Sequence, residues 1–266
     1  MISSNPFALL AETIPPVFMQ WFVIFMAVLV IGGTLMDIIH KKNVKYFFEN
    51  AKKAKLSAKK KLTSGEKISV ISKTIISDIA TTSELGAGKR RAAHLLGMYG
   101  TILFWLGSVI MVFCYSSPTS ETPSLWPVIW HVGALMTIIG GSWFWFFLRV
   151  DVFSEAQPWY RIIKADLFVL ALVATSLFGF IWSFLQSLNL NDRWDDKVFL
   201  VLFIISNIAL FGGVYWSKFA HMFYKPGAAL QKNLAEADGS RDNLPPESDA
   251  PKQFGLGITR EDPKHY

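Results

Sequence analysis

The sequence predicts an all-α integral membrane protein: a five-transmembrane-helix bundle with its amino terminus outside and its carboxyl terminus in the cytoplasm. Three observations predict it. Of the 266 residues, 52% are hydrophobic and 15% aromatic, but only 17% are charged, against about a quarter in soluble domains. Five apolar runs are each long enough for a ~30 Å hydrocarbon layer, which takes about 20 helical residues. The 26 Lys and Arg residues are spread very unevenly over the segments that join those runs, and such a bias sets orientation. Buried helices of a soluble core would need a polar shell that 266 residues cannot supply.

The first span is expected near Val17–Ile39 and closes a first segment, 1–39. Residues 1–16 carry Glu12 but no Lys or Arg. They lack the basic start of a signal peptide, so the span is expected to stay in the mature protein. Residues 40–92 follow as a basic cytoplasmic segment. A four-span bundle, 93–217, is expected next, with spans near Ala93–Tyr115, Trp126–Leu148, Ala165–Gln186 and Val198–Ser217 and no charge in their cores. Asp166, opening the fourth span, suits a helix amino terminus electrostatically. A cytoplasmic tail, 218–266, ends the chain.

Lysine and arginine fix the orientation. Residues 40–92 hold 14 of the 26, residues 149–164 hold three and the tail from Ser217 holds seven. The other side has Arg193 and Lys197 alone. Positive loops stay inside, so these counts put the chain in the cell's inner (cytoplasmic) membrane with an odd number of spans. The single cysteine, Cys114, excludes an internal disulfide, a zinc knuckle and a cysteine-ligated iron–sulfur cluster.

Two cytoplasmic pieces invite partners. Residues 41–61, KKNVKYFFENAKKAKLSAKKK, set Tyr46, Phe47, Phe48 and Leu56 among nine lysines, including Lys52, Lys53, Lys55, Lys59, Lys60 and Lys61. Such a segment rests on anionic lipid headgroups, or offers a positive face to an acidic soluble partner, or simply enforces topology. Nucleic acid is not expected, because the run adjoins a span. In the tail, residues 232–253 are polar and proline-containing and read as a flexible linker. Phe254, Leu256 and Ile258 then restore apolar character in FGLGITREDPKHY, a pattern suited to a docking peptide.

Four of the five histidines lie at or inside span ends: His40, His94, His131 and His221. Imidazole is the common axial ligand of haem iron, and such ligands come from facing helices. His40, His94 and His221 share the cytoplasmic depth. His131 lies about five residues inside the opposite end of span three, ~7 Å at 1.5 Å per residue, and roughly 20 Å in depth from the others. One bis-histidine haem on the cytoplasmic side is therefore allowed, with headgroup or partner contact as the alternative role. A second haem would pair His131 with Met111 or Met136. Gly97, three residues past His94 on the same face, leaves room for a porphyrin edge, although close helix packing explains such glycines equally well. Asp37 and His40, three residues apart, share a face. An ionisable group at that depth is a functional candidate, here for hydrogen-bonding a quinone, with a water-accessible interfacial pair as the plain alternative.

Other chemistry is missing. GAGKRR at 86–91 lacks the phosphate-loop spacing, and neither G-x-S-x-G nor H-E-x-x-H occurs. Charge within the spans is too sparse for an ion pathway, which ranks a transporter last. The chain does not read as an enzyme on its own.

The phrases GKRRAAHLLGMYG, opening span two, and WSKFAHMFYKP, closing span five, resemble the membrane subunits of respiratory and sulfur-metabolising reductases. That group includes the gamma subunit of nitrate reductase and the membrane subunits of quinone-interacting oxidoreductases. With the ending FGLGITREDPKHY, the chain looks most like the membrane anchors of dissimilatory adenylylsulfate reductases. The resemblance implies that His94 and His221 are the axial ligands of one haem b. The second histidines that two-haem relatives carry deeper in spans two and five have no counterpart within 95–115 or 198–217. It also implies a cytoplasmic flavin and iron–sulfur partner, an adenylylsulfate reductase-like heterodimer. That partner oxidises sulfite with AMP to adenylylsulfate and exchanges electrons with quinone through this subunit. His131 is then an alternative ligand or a quinone contact. A haem-free subunit that only recruits the soluble enzyme is the alternative function.

Overall fold

The structure is a computed structural model and describes residues 2–85, 88–119, 121–153, 155–188 and 194–240. Among the described residues every regular element is helical. They are α1 (Pro6–Leu10), α2 (Pro16–Lys41), α3 (Asn43–Leu56), α4 (Ser64–Lys73), α5 (Lys89–Cys114), α6 (Leu125–Trp143), α7 (Val150–Phe153), α8 (Leu167–Ser187), α9 (Trp194–Gly212) and α10 (His221–Ala237). Wider π-helical turns extend α4 over Thr74–Ala80 and α6 over Phe144–Leu148, and short 3-10 turns lie at Ser83–Leu85 and Lys164–Asp166.

The chain divides into two compact units: Met1–Ile39 with Lys89–Ala220, and His40–Gly88 with His221–Tyr266. The division groups the first span with the other apolar helices, and the basic segment with the start of the tail.

In the first unit, four helical stretches are long and apolar enough to cross a membrane: Pro16–Lys41, Lys89–Cys114, Leu125–Leu148 and Lys164–Ser187. Their side chains are arranged for lipid. Phe18, Phe25, Ile31, Ile102, Val109 and Ile139 are exposed, while His131, Thr137, Thr175, Ser176 and Ser183 are buried. Where apolar surface has nothing to gain by turning inward, small and polar residues make the helix–helix contacts. The α5–α6 seam depends on this. A Cβ on Gly100 would lie 2.6 Å from Thr137 N, one on Gly133 2.5 Å from Phe104 N, and one on Gly140 2.6 Å from Gly97 N. The two backbones touch at distances that only hydrogen atoms at Cα allow.

The expected fifth span differs from the sequence pattern. α9 carries Asp195, Asp196 and Lys197 in its first turn and stops at Gly212, short of Ser217. A Cβ on Gly213 would sit 2.6 Å from Ala209 O and 2.9 Å from Leu167 Cδ2, so the chain turns there with a glycine pressed against α8. The turn buries Val214 and Phe219, and the Phe219 ring meets Trp105, Phe168 and Phe211 at 6.1, 5.4 and 6.0 Å. The apolar character of 213–219 thus serves a packed turn.

The second unit is a small helical module. Thr63 and Glu66 form a reciprocal capping box that starts α4: Glu66 N donates to Thr63 Oγ1 at 3.3 Å, and Thr63 N donates to Glu66 Oε2 at 2.8 Å. α10 packs against α3, α4 and its π-helical extension. Asn233 Nδ2 donates to Thr74 Oγ1 (2.8 Å) and Asp78 Oδ2 (2.6 Å). The backbone N–H groups of Lys59 and Lys60 donate to Asp238 O at 2.9 and 3.2 Å. Helix therefore covers 232–237, the start of the stretch expected as a linker.

Candidate functional site

Within the apolar unit, the densest polar and aromatic cluster surrounds His131. α6 carries it with its ring 2% exposed. His131 Nδ1 lies 2.7 Å from Pro127 O, and Nε2 lies 2.8 Å from Ser183 Oγ on α8. The carbonyl only accepts, so Nδ1–H donates to it. The neutral ring then accepts the Ser183 hydroxyl at Nε2. Both nitrogens are engaged, and the ring ties α6 to α8.

Aromatic rings enclose this pair. Trp130 meets His131 edge-on at 4.8 Å and Phe180 does so at 5.8 Å. Trp130 is stacked on Phe104 at 4.9 Å, and its Nε1 donates to Ser108 Oγ at 2.8 Å. Phe7, from α1, fits between Trp130 and Trp182 at 5.9 and 5.8 Å. Asn5 places it there. Asn5 Oδ1 accepts from Phe7 N at 3.0 Å, while its Nδ2 donates to Tyr115 O at 2.9 Å and Thr122 Oγ1 at 3.0 Å. On α8, Trp182 Nε1 and Gln186 Oε1 are buried with no hydrogen-bond partner among the described residues.

A second cluster closes the other end of α6 against α8. Arg149, 4% exposed, donates from Nη1 to Asp166 Oδ2 at 2.6 Å. Its Nη2 donates to Trp159 O at 3.1 Å and Arg161 O at 2.8 Å, and its guanidinium lies 3.9 Å from the Trp145 ring centroid. Asp166 Oδ2 also accepts from Ile163 N at 3.0 Å. One charged pair thus folds the whole 150–166 connection. Trp159, Tyr160, Ile162 and Phe147 stand exposed around it, an arrangement typical of membrane–water boundaries.

The other sequence-derived candidates fall as follows. His94 is exposed in the second turn of α5, in the first unit. His40, at the end of α2, and His221, opening α10, are exposed and belong to the second unit. Asp37 is 1% exposed on α2, a helix whose other side chains are largely open. It is buried where His40, three residues on, is not. A Cβ on Gly97 would meet nothing within 4 Å, so the side of α5 that carries it has room. Lys52, Lys53, Lys55, Lys59, Lys60 and Lys61 are all exposed, and Lys60 Nζ meets Glu66 Oε1 at 3.1 Å. Phe254, Leu256 and Ile258 lie outside the described residues. Among the described residues, no three His, Cys, Asp or Glu side chains gather as a metal site.

Two carboxylates of the second unit are held low by their hydrogen bonds. The Asn233 amide, opposed by partial burial and helped by Ser83 and Ser77, holds the Asp78 carboxyl below the ordinary carboxylate range. The Thr63 backbone N–H, with Lys60 and the Thr63 hydroxyl, does the same for Glu66.

Three structural features were not singled out from sequence: the Arg149–Asp166 clamp, the Asn233 bridge and the Asn5–Phe7 plug. The clamp had a readable trace. A lone arginine ends one apolar run and a lone aspartate opens the next, and charges so placed must find partners. The other two depend on contacts more than 100 residues apart and left no such trace. No protein-family model, curated protein or solved structure matches the chain.

Proposed function

We propose that this protein is a multi-pass anchor of the inner membrane, with five spans, an outer amino terminus and a cytoplasmic carboxyl terminus. It holds a cytoplasmic flavin and iron–sulfur oxidoreductase, similar to adenylylsulfate reductase, at the bilayer and links it to quinone. The observation that carries the reading is the pairing of an apolar helical unit with a separate lysine-rich one. A transporter needs a polar path; an anchor needs a lipid-facing bundle and a charged platform. Residues 41–88 hold eleven lysines and four carboxylates, a platform suited to an acidic enzyme surface.

His94 and His221 are the residues that would hold a b-type haem, a carrier of single electrons. Both are exposed, and the open side at Gly97 supports a macrocycle beside His94. Asp37 and His40 are the proposed quinone contacts, with His131 as the alternative. The test is a dithionite-reduced-minus-oxidised spectrum of the purified protein. A b-type signal, weakened in His94→Ala and His221→Ala, is expected. A folded protein with neither haem nor quinone refutes electron transfer.

The haem-free docking reading is favoured by the exposure of His40, His94 and His221, since haem ligands are ordinarily enclosed by the bundle. Removing 254–266 tests docking in either case. Release of the soluble enzyme from membranes is expected, and unchanged retention argues against the tail.

A further inference from the structure

The isoleucines of residues 62–80 entered none of the functional assignments above, yet they form an unusual surface. α4 turns Ile68 and Ile71 outward, 64% and 39% exposed, and its π-helical extension exposes Ile75 and Ile76 at 52% and 64%. Ile68, Ile71 and Ile75 follow the i, i+3, i+7 spacing of a single helix face. That face is not the one packed within the unit. Thr74 is 1% exposed and bonded by Asn233 of α10, and its hydroxyl donates to Val70 O at 2.8 Å. The burial against the rest of the unit thus falls on the extension at Thr74, while α4 itself buries no residue and leaves its isoleucines open.

We propose that this isoleucine face lies in the headgroup–acyl boundary of an anionic membrane, as a monotopic helix parallel to the bilayer. Three observations choose lipid over a protein partner. The segment carrying α4 is joined at both ends to membrane-crossing helices, α2 and α5, so a bilayer surface is always at hand. Its charge is complementary to anionic headgroups, with Lys67 and Lys73 on α4 itself among the eleven lysines of 41–88. Residues 64–80 contain neither arginine nor an aromatic residue, whereas protein interfaces favour both. Exposed isoleucines on a lysine-rich helix are the composition of a lipid-lying segment. The capping box at Thr63 and Glu66 starts the helix independently of that contact.

This surface stands whether or not the protein carries haem or docks a reductase, and its test needs neither. Cys114, the single native cysteine, is replaced in a Cys114→Ser background. Ile68→Cys, Ile71→Cys or Ile75→Cys is introduced and labelled with bimane, alongside Ser69→Cys and Lys73→Cys on the exposed opposite side. The full chain is placed in nanodiscs of brominated phosphatidylcholine with phosphatidylglycerol. Labels at 68, 71 and 75 are expected to be quenched severalfold more by bromolipid than those at 69 and 73, and to resist aqueous iodide. Without phosphatidylglycerol, that difference is expected to shrink. Equal iodide access on both sides overturns the proposal. So does protection from iodide without bromolipid quenching, which would place protein over the face, and so does quenching indifferent to lipid charge.

Discussion

Substituting Gly133 by alanine tests the account of the bundle most directly. The added Cβ would lie 2.5 Å from Phe104 N, 2.7 Å from Gly100 O and 3.0 Å from Leu103 C. Ordinary contact begins at 3.4 Å, so the shortest approach is about 0.9 Å too close. All three obstacles are backbone atoms of one helix, so no side-chain rotation relieves them. α5 and α6 must separate by roughly that amount, and a gap of 0.5–1 Å forfeits about a quarter to a half of each dispersion contact along the seam. The net loss is expected at about 1–3 kcal/mol, the usual cost of overpacking, despite alanine's better helix propensity. Gly97→Ala is the matched control. Its Cβ meets nothing within 4 Å, so it is expected to gain up to about 1 kcal/mol from alanine's better helix propensity. Reversible unfolding in mixed detergent micelles measures both. Equal stabilities of the two variants would refute the close-approach reasoning. If Gly97→Ala keeps its stability but loses a haem signal, the space beside Gly97 belongs to the cofactor.

Three further outcomes follow from the same geometry. Asp166→Ala leaves Arg149 buried without its carboxylate, and thermal unfolding is expected to show a loss of about 3–5 kcal/mol. Ser183→Ala removes the donor to His131 Nε2 and is expected to cost about 1–3 kcal/mol, while leaving any b-type spectrum unchanged; a lost spectrum would make His131 a ligand. Asp78 titrates below its ordinary value because of Asn233. The contact's stabilisation is therefore full above about pH 4, the unfolded value, and is lost as pH falls through the lower folded value. Hydrogen exchange in α4 and α10 should accelerate in that acid range, and Asn233→Leu, which removes the largest of the contacts that lower Asp78, should weaken this pH dependence.

Helical class and most span positions were legible in the sequence because a bilayer imposes its own length and polarity on each crossing segment. Four of the expected runs are helices of crossing length. The run ending at Ser217 was not legible to its end, since hydropathy cannot distinguish a lipid-facing helix from a turn that buries Val214 and Phe219. Candidate residues were legible only as types. Histidine at a span end can be a ligand, a headgroup contact or a fastener, and only the structure adds that His131 meets Ser183 of the neighbouring helix α8.

The sequence by itself determined an apolar, helical chain with stretches long and apolar enough to cross a membrane and its positive charge concentrated in two segments, because composition and one-dimensional periodicity record the demands of the solvent. Tertiary structure alone decided that those segments contribute to one unit through Asn233 and Asp238, that Arg149 answers Asp166, and that isoleucines 68, 71, 75 and 76 face outward. Each of those outcomes depends on which residues distant in the chain come within a few ångströms of one another, and periodicity carries no record of that.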